Sequence, residues 1–184
     1  MNTWFTSDTH FGHANIIVYC KRPFKDVEEM DAELIRRWNA RVQPGDTVYH
    51  LGDFALAKGG KKIPAYLERL NGQIHLITGN HDPKQPNALK GFADVKAYKE
   101  IKVGEQDVIL CHYAFRVWNK RHYGSWNLHG HSHGTLKRDF KMKQLDVGVD
   151  CWNYAPISFE EVAKEMEKST SEPVDYPGDR EDES

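Results

Sequence analysis

Short apolar runs that end in polar residues recur along the chain: Trp4 to Thr6, Thr47 to Leu51, Ile74 to Thr78, Val108 to Cys111 and Leu145 to Val149. Their length and β-branched content predict strands. Between them Met30, Leu34, Trp38 and Val42 fall every fourth residue, and Ile63, Tyr66, Leu67 and Leu70 repeat the spacing of a helix with one buried stripe. Asp26 with Glu29, and Ser158 with Glu161, have capping-box spacing, which starts helices near Val27 and Phe159. Pro44-Gly45 and Asn71-Gly72 stand just ahead of apolar runs and favour a reversal into the next strand, and Val103-Gly104-Glu105 turns a hairpin. The pattern is that of one α/β domain.

The chain's 184 residues fit a single core. From Ser169 onward the composition turns to Ser, Glu, Asp and Pro, too little apolar surface to offset the entropy of ordering it. The expected organisation is therefore a domain over residues 1–168 and an acidic, disordered tail over 169–184. Gly59-Gly60-Lys61-Lys62 lacks the spacing of a phosphate-cradling loop and reads as a mobile connection.

A net charge of −2 argues against the broad basic face that neutralises duplex phosphates, so no extended duplex binding is expected. No stretch approaches the roughly 20 apolar residues of a membrane span, and the chain opens into a strand instead of a basic and then apolar signal, which makes no membrane contact and a cytoplasmic location the expectation. Cys20, Cys111 and Cys151 lack CxxC spacing, so neither a disulfide framework nor a thiolate zinc site is indicated.

Polar residues follow the ends of the predicted strands in order: Asp8 and His10, Asp53, Asn80 and His81, His112, then His131 and His133. In α/β sheets ligands collect beyond the carboxyl ends of strands, where residues distant in sequence converge. Asp8-Thr9-His10 and His131-Ser132-His133 each skip one residue, so on extended backbone both side chains of a pair project alike. Carboxylate, imidazole and amide oxygen form a ligand set suited to Mn, Fe or Zn, and the seven groups other than His81 suggest two divalent ions, Mn being the first choice.

These blocks, SDTHFGH, GDF, GNHD, the His112 block and HGHSH, resemble the signature of calcineurin-like metallophosphoesterases and cover Ser7 to His133 in the family's order. The resemblance implies a four-layer αββα fold, two β-sheets packed as a sandwich and flanked by helices, with two metals at one edge. Carried over residue by residue, it implies one metal held by Asp8, His10, Asp53 and His133, and another by Asp53, Asn80, His112 and His131, with Asp53 bridging. Two ions about 3.5 to 4 Å apart lower the pKa of a bridging water and stabilise developing charge, so the implied chemistry is in-line attack of a bridging hydroxide on phosphorus. His81 is then the general acid for the departing oxygen, and Asp82 orients it. Leu56 and Ala57 replace the Asp and Arg of the GDxxDRG block that marks protein Ser/Thr phosphatases, which argues against a phosphoprotein substrate.

Arg22 and Arg116 are candidates to grip a substrate phosphate bidentately, and His13 to face the substrate. The alternative for each arginine is an ordinary solvated surface position. His50, His75 and His129 lie in strands and are expected to pack or hydrogen-bond, while Trp118, Tyr123 and Trp126 are read as core aromatics in preference to base-stacking ones. The expected activity is hydrolysis of a small, cyclic or nucleic-acid-end phosphodiester. A phosphomonoesterase of small metabolites is the close alternative, and a non-catalytic interaction domain of the same fold the distant one.

Overall fold

The structure is a computed structural model that describes residues 1–56 and 63–172; the Gly59 to Lys62 connection lies outside them. Chain order runs β1 (Thr3–Thr6), α1 (Ala14–Tyr19), α2 (Val27–Arg41), β2 (Thr47–His50), α3 (Ile63–Leu67), β3 (Gln73–Ile77), β4 (Asp94–Lys96), β5 (Tyr98–Val103), β6 (Gln106–Cys111), β7 (Trp126–His129), β8 (Gln144–Asp146), β9 (Ile157–Ser158) and α4 (Phe159–Glu167). Two sheets form, one ordered β4-β3-β2-β1-β9 and one ordered β5-β6-β7-β8. In the first, β1 to β4 are parallel and β9 is antiparallel. The expected Gly104 turn joins β5 and β6 as a hairpin, and β7 and β8 add in parallel.

Side-chain alternation along the strands divides the core in two. Trp4, Val48, Ile74 and Leu76 face Met30, Leu34 and Trp38 of α2, whereas Phe5, Ile77, Val108, Leu110, Leu128 and Ile157 meet between the sheets. Trp38 is 1% exposed, so truncating it to Ala would cost about 3–5 kcal/mol. α2 starts where expected, because the Asp26 side chain accepts the Glu29 N–H. α4 opens on a complete Ser158/Glu161 capping box, and its Val162 and Met166 pack into the core between the sheets.

Helices thus flank a two-sheet sandwich. α4 touches β1, β8 and β9 and so spans both sheets. The buried Asn127 on the far side of the second sheet accepts the Phe115 N–H at 3.1 Å, which places the irregular segment after His112 over that face. Trp118 and Trp126 are buried as expected, but Tyr123 is 80% exposed and belongs to no core.

The domain's contacts continue past the expected boundary at residue 168. Thr170 and Glu172 donate their N–H groups to the carbonyls of Phe140 and Lys141, both at 2.9 Å. Arg121 donates to the Glu172 carbonyl at 2.7 Å. Residues 173–184 lie outside the described ones.

Candidate metal centre and active site

The blocks converge on the loops that follow β1, β2, β3, β6 and β7. Their backbone is not extended. Asp8 (φ 57°), His10 (φ 51°), Asp53 (φ 55°), His131 (φ 68°) and His133 (φ 46°) all adopt the left-handed conformation. Strain of this kind persists where surroundings over-determine it. Here the Asp8 and His10 N–H groups donate to the Gly52 and Asp53 carbonyls, both at 3.0 Å, locking the first loop to the second. The Asp8 carboxylate accepts the His131 N–H at 2.9 Å, which ties in the last loop. Gly130 permits that approach, since a Cβ there would lie 1.9 Å from Ser7 Oγ and 2.5 Å from Asp8 Oδ2.

Ligand atoms of Asp8, His10 and His133 lie within 4.8 Å of one another, and those of Asp53, His112 and His131 form a second such group. One oxygen joins them: Asp53 Oδ2 lies 3.6 Å from His10 Nε2 and 3.5 Å from His112 Nε2. Asn80 Oδ1 stands 3.2 Å from His112 Nε2, on the side of the second group. All seven expected ligands are therefore gathered.

The donor set fits metal ions. His112 Nδ1 sits 2.7 Å from the Leu51 carbonyl, which only accepts, so Nδ1 carries a proton and Nε2 is the ring nitrogen turned toward Asp53 and Asn80. His133 Nδ1 lies 2.7 Å from Asp150 Oδ2, the carboxylate–histidine arrangement that orients ligating imidazoles. His10 Nε2 is buried without a hydrogen-bond partner. Burial pushes the Asp8 carboxyl up to about 7 and the His10 imidazole down to about 2. At Asp53 burial also pushes upward, but the His112 hydrogen bond and charge, with the His81 N–H and His10, outweigh it and hold the carboxyl at about 2. A fully buried carboxylate facing an unsatisfied imidazole nitrogen is costly alone and well suited to a divalent cation.

Two expected roles change, and one residue joins the site. Arg22 is 4% exposed and points inward: Nε and one terminal nitrogen hold Asp150, each at 2.8 Å, while the terminal nitrogens also donate to the Asp8 and Thr9 carbonyls at 2.7 and 3.1 Å. With its fork filled it cannot grip a substrate phosphate. Asp82 does not orient His81. Its carboxylate accepts three backbone N–H groups, from Asp53, Phe54 and Gly79, at 2.8 to 2.9 Å, and so shapes the metal loops. Asp150, not expected from sequence, links Arg22 to His133.

The remaining candidates divide. His81 is exposed, its backbone N–H donates to Asp53 Oδ1 at 2.8 Å, and its ring lies 5.3 Å from that of His10. His13 Nδ1 is 3.3 Å from His10 Nδ1, at the cluster's edge. Arg116 is exposed. His50 bonds Thr9 Oγ1 at 2.9 Å, His129 lies 3.0 Å from the Gly130 carbonyl, and His75 stacks on Tyr49, as packing roles require.

A family model described as the calcineurin-like phosphoesterase superfamily domain matches residues 1–147. The chain belongs to that superfamily, whose members hydrolyse phosphate esters with divalent metals. Among relatives, it is 38% identical over 171 residues to uncharacterized protein MJ1445 of Methanocaldococcus jannaschii, covering 90% of this chain and 91% of that one. It is 33% identical to the gene 66 protein of Mycobacterium phage L5, over 82% of this chain and 87% of that one. Among solved structures, the AQ665 protein of Aquifex aeolicus superposes with a TM-score of 0.73 at 26% identity, covering 89% of this chain and 98% of that one. A structure described as a novel archaeal phosphodiesterase shares the fold at a TM-score of 0.50 and 19% identity, over 80% of this chain and 82% of that one. No helix among the described residues is long and apolar enough to cross a membrane.

Proposed function

We propose that the protein is a dinuclear-metal phosphodiesterase acting on small or nucleic-acid-end diesters. The observation that carries the dinuclear reading is the position of Asp53 Oδ2, 3.6 Å from a nitrogen of one ligand group and 3.5 Å from a nitrogen of the other. Asp8, His10, Asp53 and His133 would hold one ion, and Asp53, Asn80, His112 and His131 the other. Two divalent cations, with Mn favoured by the oxygen and imidazole donors, would supply Lewis acidity and an acidified water.

The chain's own residues supply the rest. Asp53 fixes the spacing of the two ligand groups, Leu51 and Asp150 set the tautomers of His112 and His133, and Asp82 holds the backbone on which Asp53 sits. His81, exposed beside His10 and outside both ligand groups, would carry the proton for the departing ester oxygen. His13 borders the same space and can contact the bound substrate.

Metal analysis with hydrolysis assays on monoesters, cyclic diesters and oligonucleotide ends tests this reading. Metal-dependent turnover confined to diesters supports it. Preference for monoesters overturns the diester assignment, and full ligation without turnover of any ester identifies a binding domain of the same fold.

A further inference from the structure

A cleft of about 730 Å³ opens beside the second ligand group. Its near end is formed by Asn80 and Tyr113, both of which also belong to the metal cluster's surroundings. The Tyr113 hydroxyl lies 3.4 Å from Asn80 Oδ1, and its ring centroid is 4.9 Å from that of His131. The cleft is therefore continuous with the place where a phosphoryl group would react, and its volume matches an organic group of nucleotide size.

The lining indicates which group. Pro83, Leu89, Val95 and Ala97 supply apolar walls, and Tyr113, 46% exposed, presents an aromatic ring at the near end. A large exposed ring beside a reaction centre is a stacking platform for any flat base, because every base has a π-face. Lys84 and Lys96 line the same cleft, and neither lies within ion-pairing distance of a carboxylate among the described residues. Asp82, the cleft's acidic residue, is buried with its oxygens committed to backbone N–H groups. The walls thus combine apolar surface, one aromatic face and two lysines, of which Lys84 has no charge partner nearby among the described residues and Lys96 feels Asp94 only from beyond ion-pairing distance, the Asp94 carboxylate being bonded to Lys99 at 2.7 Å.

We infer that this cleft binds the nucleoside arm of a linear phosphodiester that carries a further anionic group, with Tyr113 stacking on the base and Lys84 and Lys96 meeting the second anion. The inference rests on the phosphodiesterase reading and names its substrate class. A cyclic nucleotide has a single phosphate, which the metal ligands claim, and leaves the lysines without a counter-charge. A linear nucleotide chain supplies the base, the reacting diester and the neighbouring phosphate together.

The test compares three diesters: methyl 4-nitrophenyl phosphate, thymidine 5′-(4-nitrophenyl phosphate), and a thymidine dinucleotide bearing a terminal phosphate. Tyr113→Ala should lower kcat/KM for the thymidine ester, relative to the methyl ester, by about fivefold or more, the loss appearing in KM. Tyr113→Phe, which keeps the ring and removes the hydroxyl, should restore that ratio. The Lys84→Glu/Lys96→Glu pair should weaken the phosphorylated dinucleotide about tenfold relative to the thymidine ester. Equal responses of all three diesters, or no response, overturn the cleft assignment while the diesterase reading stands. Absence of metal-dependent turnover of any diester by the unaltered protein overturns both.

Discussion

His133 Nδ1 and Asp150 Oδ2 lie 2.7 Å apart, and the same carboxylate is held by Nε and one terminal nitrogen of Arg22. The line Arg22–Asp150–His133 therefore reaches from a buried cation to an expected metal ligand, and Arg22 is also fixed to the Asp8 and Thr9 carbonyls of the first metal loop. Two segments of the chain, 128 residues apart, are joined at the place where the ligands must register.

Asp150→Asn keeps the side chain's volume but replaces the anion that orients His133. Metal affinity should fall about 10- to 100-fold in folded protein, as for other partners of ligating histidines. Metal titration of the folded variant checks this, and an unchanged affinity would remove Asp150 from the metal site's support.

Arg22→Ala should destabilise the fold by about 3–5 kcal/mol, because it strips a buried carboxylate of its partner and two carbonyls of their donors. Arg22→Lys should recover only part of this, since an ammonium cannot reproduce the fork. Denaturant unfolding gives the numbers. A loss below about 0.5 kcal/mol for Arg22→Ala would place it with ordinary surface arginines.

Ending the chain at Lys168 should cost on the order of 2 kcal/mol, because the Thr170 and Glu172 N–H bonds and the Arg121 bond to Glu172 are lost. Ending it at Glu172 should leave thermal stability and metal content little changed, given the polar, acidic composition of residues 173–184. Equal stability of the two truncated chains would contradict the docked role of residues 169–172.

His81→Ala should retain both ions and lose up to about 10²- to 10⁴-fold in rate on diesters that expel an alkoxide. The loss should be smaller with nitrophenyl esters, whose leaving group departs without a proton. Equal losses on both, together with loss of metal, would make His81 a ligand.

What the sequence shows plainly are features with local physical causes. The Asp26 cap and the Ser158/Glu161 box start α2 and α4 at the expected residues, and the apolar runs of β1, β2, β3 and β6 are real strands. α1 escapes such a reading because only Ile16 is buried, no side chain caps it, and Val18 and Tyr19 face solvent. β4 and β9, three and two residues long, carry too little pattern.

At the site, all seven expected ligands converge because each follows a strand end. The role of Arg22 was not legible, since nothing local tells a guanidinium that its partner lies across the fold. Asp150 had a signal that was available: it follows the apolar run ending at Val149, the same placement that marks Asp8 and Asp53. The left-handed backbone of the metal loops depends on hydrogen bonds between loops and has no signature in the spacing of the residues.

The account turns on Asp53 serving two ions. Asp53→Asn preserves the acceptor for the His81 N–H while removing the charge that faces both His10 and His112. Elemental analysis of folded, metal-saturated variant, alongside diester hydrolysis, is the direct measurement. The prediction is fewer than two ions per chain and nearly abolished turnover, because a bridging carboxylate contributes charge to each ion; two retained ions with turnover close to that of the unaltered protein would contradict it.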